Sequence, residues 1–417
     1  MALWRSRYKA NRFKRKRRSR KWMIILLIPL ILVLALAGYK GYKWFYHENP
    51  KPQHFEEQQA GHRANREEQI AAQPRIALLA PLSGTFLEDG EMLRNGAQLA
   101  WEEIKKQGVT AELVILDGAK DPSEVIGAVD KMAQDPDTLL LIGHLPMASL
   151  SAIMPICGSQ KLPLLAPASS HQGLVNQPWV FPLVGSDVSE GSFAAGLAQS
   201  WSQGKPVAAV YEPGPYGEIL QGGFKEEAGK RNLQFYNIEC SADEASLETA
   251  VAAALENDPS VIWLAGAPVW GAGVATALAE KGFKGRLIAP QSYGDIFLED
   301  LFGKVLDRLY ILTSFGIPDD RKTALEEFSK AFRERFWREP DRFAVAGYDA
   351  VQWVGKALQE ASLSRKGIRD YFLRHDSPQH LFRGIGGDVF FDANGCTQRS
   401  LHLAVYRQGK LCAAPEL

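Results

Sequence analysis

The sequence predicts an α/β protein of two lobes, each on a mainly parallel sheet, behind one N-terminal membrane-spanning helix. Three observations predict it. From Pro74 onward, short apolar runs alternate with helical stretches of ten or more residues, which is the grammar of βαβ units. After Val184 the alternation restarts, giving a second set similar in plan to the first. Ahead of both, Met23 to Gly38 carries no charge, and with its flanking Trp22 and Tyr39 it is long enough for a short bilayer span.

The head and the body have opposite charge. The 417 residues hold 48 Lys+Arg and 48 Asp+Glu, but residues 1–47 contain 13 of the bases and no acid. The remainder therefore carries 35 bases against 48 acids, a net of −13. Residues 1–21 read as a basic cytoplasmic tail, 22–39 as the span or uncleaved signal anchor, and 40–73 as a linker. Eleven cations precede the apolar run, and only Lys40 and Lys43 follow it shortly after. The positive-inside rule then leaves the N-terminus in the cytoplasm and exports the body, a single-pass inner-membrane arrangement with a periplasmic body. Ala35-Leu36-Ala37 also fits a signal-peptidase site, so cleavage is the competing reading. Cations beside a cytoplasmic membrane face need no partner other than anionic lipid, so no nucleic acid is expected.

In the body, Arg75–Ala80 reads as a buried strand that ends at Pro81, and Met92–Gln107 as a helix stopped by Gly108. Strands follow at Ala111–Leu116, Thr138–Ile142 and Leu162–Ala166, with a helix opened by Asp121-Pro122 and another ending at Ser159. The second set has strands at Val207–Tyr211, Gln234–Cys240, Val261–Ala265 and Arg286–Ala289. Its helices are Glu218–Arg231, Ala245–Asn257 and Ala272–Gly282. Two more helices, Arg321–Phe336 and Ala344–Ala361, precede a hairpin-like end at Asp388–Phe391, Ser400–Tyr406 and Lys410–Cys412. In open parallel sheets, ligands sit beyond the carboxyl ends of the strands. The loops that matter are thus Pro81–Thr85, Gly143–Ser149, Ala166–His171, Glu212–Tyr216, Gly266–Trp270 and Pro290–Tyr293.

An ordered set of segments resembles the type I periplasmic binding proteins, most nearly the leucine/isoleucine/valine-binding family. The segments are Ile76–Gly84, Asn95–Ile104, Ile142–Leu145, Leu164–Ala168, Tyr216–Glu218, Ala346–Val351 and Val389–Gly395. The resemblance implies two Rossmann-like lobes joined by three crossover strands near Val184–Ser186, Thr313–Gly316 and Gly384–Gly387. Lobe 1 would be 74–185 with 316–384, and lobe 2 would be 186–315 with 385–417. It also implies an amino-acid site: Ser83, Thr85, Ser149, Ala168, Ser169, Ser170 and Tyr216 as ligand-facing positions, with Trp270 on the lobe-2 loop. The chain departs from the pattern where the carboxylate-binding Ser falls on Met147 and where the ammonium-binding acid falls on Gln291. Gln offers a neutral acceptor, so a charge-assisted bond is lost. His144 follows a buried strand and reads as a satisfied structural histidine, with a polar cleft residue as the alternative.

No nucleophile elbow, P-loop or H-E-x-x-H occurs, so no enzyme, cofactor or metal is expected. Cys157 and Cys240 read as buried thiols, and Cys396 with Cys412 as a possible disulfide between terminal strands. The resemblance implies an exported solute-binding protein that captures a small polar, amino-acid-like ligand for an ABC permease. The alternative is an envelope protein that senses a ligand or regulates a membrane partner with the same fold.

Overall fold

The computed structural model describes residues 68–170, 172–174, 176–295, 298–315, 321–392, 396–407 and 410–414. The expected tail, span and most of the linker lie outside these residues. Among the described residues no helix is long and apolar enough to cross a membrane.

Lobe 1 holds five strands: β1 (Arg75–Ala80), β2 (Glu112–Asp117), β3 (Thr138–Gly143), β4 (Leu164–Ala166) and β5 (Val180–Pro182). They are all parallel in the order β2-β1-β3-β4-β5. Lobe 2 begins with β6 (Val207–Tyr211), β7 (Phe235–Glu239), β8 (Val261–Ala265), β9 (Arg286–Ala289) and β10 (Leu309–Thr313). Their order, β7-β6-β8-β9-β10, repeats that of lobe 1 strand for strand. The second lobe is thus a topological copy of the first. Its sheet is extended by two antiparallel strands, β14 (His402–Arg407) and β15 (Lys410–Ala413), on the β10 side.

These strands form where they do because both faces are covered. In β1, Ile76, Leu78 and Ala80 enter one apolar cluster while Ala77 and Leu79 enter another. In β6, Ala208 and Val210 face one cluster, and Val207 and Ala209 the other. A near-continuous apolar run is what a strand buried on both sides requires.

The helices show where the sequence pattern failed. Helix Leu87–Lys106 starts earlier than Met92, with Glu88 and Asp89 in its first turn, where acids favour the positive end of the helix dipole. Helix Asp187–Ser202 was not expected at all. Much of its packed face is Gly191, Ala194, Ala195 and Ala198, with the large buried Trp201 only near its end, so no regular stripe of large apolar side chains announces it. The structure shows why the face is small: a Cβ on Gly191 would lie 2.0 Å from the Leu220 carbonyl oxygen of helix Pro215–Lys230. Lobe 1 uses the same device. A Cβ on Gly96 would lie 1.9 Å from the Ala344 carbonyl oxygen of helix Arg342–Glu360.

The third sheet corrects the expected lobe boundary at residue 385. Strands β11 (Phe382–Gly384), β12 (Gly387–Phe391) and β13 (Thr397–Arg399) form a small antiparallel sheet. Phe382, Val389 and Phe391 belong to the lobe-1 core, where Trp353 stacks on Phe382 at 4.7 Å between ring centroids. Gly384–Gly387 is therefore a hairpin turn and not a crossover. The chain returns to lobe 2 later, at Ser400-Leu401, between β13 and β14. The other two crossings fall after β5 and after β10. Cys157 and Cys240 are fully buried. Cys396 precedes β13 and Cys412 lies on β15, in different sheets, and both are free thiols.

Candidate functional site

In both lobes the carboxyl ends of the parallel strands carry the polar groups. On lobe 1, β3 ends at Gly143 and His144 follows, with its backbone N–H donated to the Leu79 carbonyl of β1 at 3.0 Å. His144 is thereby seated at the switch point where the strand order reverses. Its ring lies 5.0 Å from that of Phe343, and the Arg342 guanidinium lies 4.2 Å over the same Phe343 ring. Burial, with the Arg342 charge added, pushes the imidazole down to about 4, so it is neutral at ordinary pH. Nδ1 is buried without a hydrogen-bond partner among the described residues. The expectation of a satisfied structural histidine is therefore corrected.

On lobe 2, Gln291 follows β9 and is buried. Its backbone N–H donates to Glu190 Oε2 at 2.9 Å, and its side-chain Nε2 donates to Glu190 Oε1 at 2.5 Å. Gln291 Oε1 is buried and has no partner among the described residues. Glu190 comes from the first turns of the unexpected helix Asp187–Ser202 and is 0% exposed. Burial and the nearby Asp187 carboxylate push its carboxyl up to about 8, against the opposing pull of the Gln291 donors and of Arg342. Tyr216 donates its hydroxyl to Ser292 Oγ at 2.9 Å. Burial, then the charges of Glu190 and Asp187, push that phenol up, so it stays a donor.

The expected site residues divide between these clusters and the scaffold. Tyr216 and Gln291 belong to the lobe-2 cluster. Ser169 and Ser170 are half-buried after β4, and the Ser170 carbonyl accepts the Asp187 N–H at 3.2 Å, tying the lobe-1 loop to the start of the lobe-2 helix. Ser83 serves the scaffold. Burial pushes Asp117 up, but bonds from the Ala119 N–H, the Ser83 hydroxyl and the Leu82 N–H outweigh it and hold the carboxyl below its usual range. Thr85 is exposed in a short 3-10 turn. Met147 opens helix Met147–Gln160, with buried Ser149 in its first turn. Ala168 packs on the lobe-1 core. The resemblance placed Trp270 on the lobe-2 cleft loop, to stack on a ligand or to shield the lobe interface. Instead it sits in the lobe-2 core and donates its indole N–H to the Cys240 carbonyl at 2.8 Å. Among the described residues no cluster of His, Cys, Asp and Glu could hold a metal ion.

Sequence reasoning missed Asp187, Glu190 and Arg342. The signal available for the first two was Gly185-Ser186 ahead of an acidic turn: Ser186 caps the helix by accepting the Ser189 N–H at 3.4 Å. Of the buried polar atoms without hydrogen-bond partners among the described residues, His144 Nδ1 and Gln291 Oε1 lie just beyond the carboxyl ends of strands, one on each lobe, and each costs free energy unless a bound molecule or water meets it. The arrangement therefore suits the binding of a small polar molecule.

The family described as periplasmic binding protein matches residues 73–410. A curated relative from Pseudomonas aeruginosa, the leucine-, isoleucine-, valine-, threonine-, and alanine-binding protein, is 22% identical over 69% of this chain and 78% of its own length. An ABC transporter substrate-binding protein from Desulfitobacterium hafniense, solved in complex with Leu, superposes with a TM-score of 0.67 at 22% identity, covering 82% of this chain and 100% of that one. A solute binding protein from R. palustris, in complex with benzoate, gives 0.62 at 18% identity, covering 82% and 95%. With the match spanning nearly the whole described body, this chain belongs to the periplasmic binding protein family.

Proposed function

We propose that this chain is the solute-binding component of an ABC-type transporter. It captures a small carboxylate-bearing, amino-acid-like solute between its two lobes. The observation that carries the reading is the pair of buried, partnerless polar atoms, His144 Nδ1 on lobe 1 and Gln291 Oε1 on lobe 2, each at the carboxyl edge of its sheet. A ligand that touches both lobes is what shifts such a protein towards closure. Relatives that hold leucine and benzoate share a carboxylate on an apolar body. In this chain the Arg342 charge favours an anionic group, and the carboxyl-backed Gln291 favours an N–H donor. Residues 22–39 anchor the chain in the inner membrane, and the acidic body works in the periplasm beside its permease.

A thermal-shift screen of the full chain in detergent against L-leucine, L-isoleucine, other amino acids and benzoate tests the reading. A true solute at 100 times its Kd adds about 2.7 kcal/mol of stability. If no solute in the panel moves the melting temperature, the receptor reading is lost. The chain would then be better explained as a regulator of an envelope partner.

A further inference from the structure

We propose that Glu190 is a positioning residue for solute recognition. Its carboxyl decides which end of the Gln291 amide faces the solute, and when ionised it turns out the acceptor Oε1, selecting a solute that carries a protonated amine. The inference deepens the solute-binding reading and rests on it.

The geometry leads there in three steps. Glu190 is fully buried, and both its oxygens are engaged by Gln291: Oε2 by the backbone N–H at 2.9 Å and Oε1 by the side-chain Nε2 at 2.5 Å. An ionised carboxylate can only accept, and the amide nitrogen can only donate, so this pairing admits one orientation of the amide. That orientation leaves Oε1, a pure acceptor, buried and without a partner among the described residues. An ammonium or another N–H donor satisfies it, whereas a second carboxylate or an ether oxygen does not.

Protonating Glu190 reverses the logic. A carboxylic acid carries a donor as well as an acceptor, so the amide is no longer held to one orientation and can turn by half a revolution to bring its carbonyl to the acid O–H. Nε2 would then face the solute and favour an acceptor. The charged and titratable groups around Glu190 come from three helices. Asp187 on its own helix opposes its ionisation, Arg342 at the start of helix Arg342–Glu360 favours it, and Tyr216 on helix Pro215–Lys230 stays neutral. Burial is the largest influence and pushes the carboxyl up to about 8, which places the exchange within the working pH range of a folded protein. Amine recognition should therefore strengthen as pH rises through that value.

The test measures Kd for L-leucine and for its amine-free analogue 4-methylpentanoate by titration calorimetry, using the full chain in detergent between about pH 6.5 and 8.5. The solute-competent fraction scales the apparent affinity. Leucine should bind on the order of tenfold more tightly at the upper end than at the lower, while 4-methylpentanoate gains nothing. Glu190→Gln, of equal shape and neutral throughout, should flatten the leucine profile. Gln291→Met, which leaves Glu190 in place, should erase the preference for leucine over its analogue. A pH-independent leucine Kd in the parent chain overturns the proposal, and so does an unchanged pH profile in Glu190→Gln or an undiminished preference in Gln291→Met. If neither solute nor any other in the panel binds at any pH, the solute-binding reading falls and takes the proposal with it, a result distinct from binding without pH dependence.

Discussion

Replacing Arg365 with Met is expected to cost about 4 kcal/mol of folding stability while leaving the affinity of the folded protein for its solute unchanged. Arg365 is 0% exposed. Its guanidinium donates to four main-chain carbonyls: Thr138 at 2.9 Å, Gln160 at 3.0 Å, Ala133 at 3.0 Å and Asp135 at 2.7 Å. One side chain thus joins helix Arg365–Leu373 to the ends of helices Pro122–Gln134 and Met147–Gln160 and to the start of β3. Met fills much of the same volume but donates nothing. The carbonyls belong to the backbone and cannot be removed with their partner, so each is left buried at a cost of about 1 kcal/mol or more. Because the cluster lies at the amino end of β3, opposite the edge that carries His144, the loss should appear in urea unfolding and not in the Kd. A variant within about 1 kcal/mol of the parent would contradict this account.

Replacing Arg399 with Met is expected to damage both stability and the coupling of the lobes. Arg399 ends β13, just before the third crossing. It donates to the Leu183 carbonyl at 3.1 Å on the first crossing, to the Ser314 carbonyl at 2.6 Å on the second, and to the Gly386 carbonyl at 2.7 Å in the β11–β12 turn. Its guanidinium also lies 4.4 Å over the Phe315 ring. Burial pushes it down to about 10, still charged at neutral pH, and the Asp349 carboxylate acts against that fall. Asp349 in turn accepts the Ile385 and Gly386 N–H groups at 2.8 and 3.0 Å, and burial raises it to about 6. Removing the cation would leave three carbonyls without their donor and take a favourable charge away from the buried Asp349, a loss of about 3–5 kcal/mol. Since all three crossings meet at this residue, the variant should also show a broader range of lobe separations in solution scattering than the parent. Arg399→Lys should recover only part of the stability, because a point charge cannot serve three carbonyls in a planar fork. A fully stable Arg399→Met would show that the crossings are held by something else.

Eight of the ten parallel strands were legible because burial on both faces writes a continuous apolar run, as in Arg75–Ala80 and Val261–Ala265, whereas β5 and β10 were not read as strands. The repeat of one strand order in both lobes was foreshadowed by the restart after Val184. What stayed hidden was hidden for physical reasons. Helix Asp187–Ser202 packs largely through glycine and alanine against a close neighbour, with Trp201 only near its end, so its contact face carries few of the large apolar side chains from which a helix is read, and Glu190 went unseen with it. The β11–β13 sheet looks in sequence like the start of the terminal hairpins, yet Phe382 and Phe391 commit it to Trp353 in lobe 1. Gln291 was legible as a site position because it follows a parallel strand, but its partner lies 101 residues away. Trp270 misled because an aromatic side chain on a cleft loop looks the same in sequence whether it faces a ligand or, as here, the core.

The central claim is that a solute bridges the two lobes at His144 and Gln291. Residues 65–417 form a compact unit of their own, and small-angle scattering on that unit tests the claim most directly. A solute that raises the melting temperature should also reduce the radius of gyration, and it should do so in the parent protein but not in a double variant, His144→Phe with Gln291→Met. A solute that binds and stabilises the parent without any contraction would contradict the account.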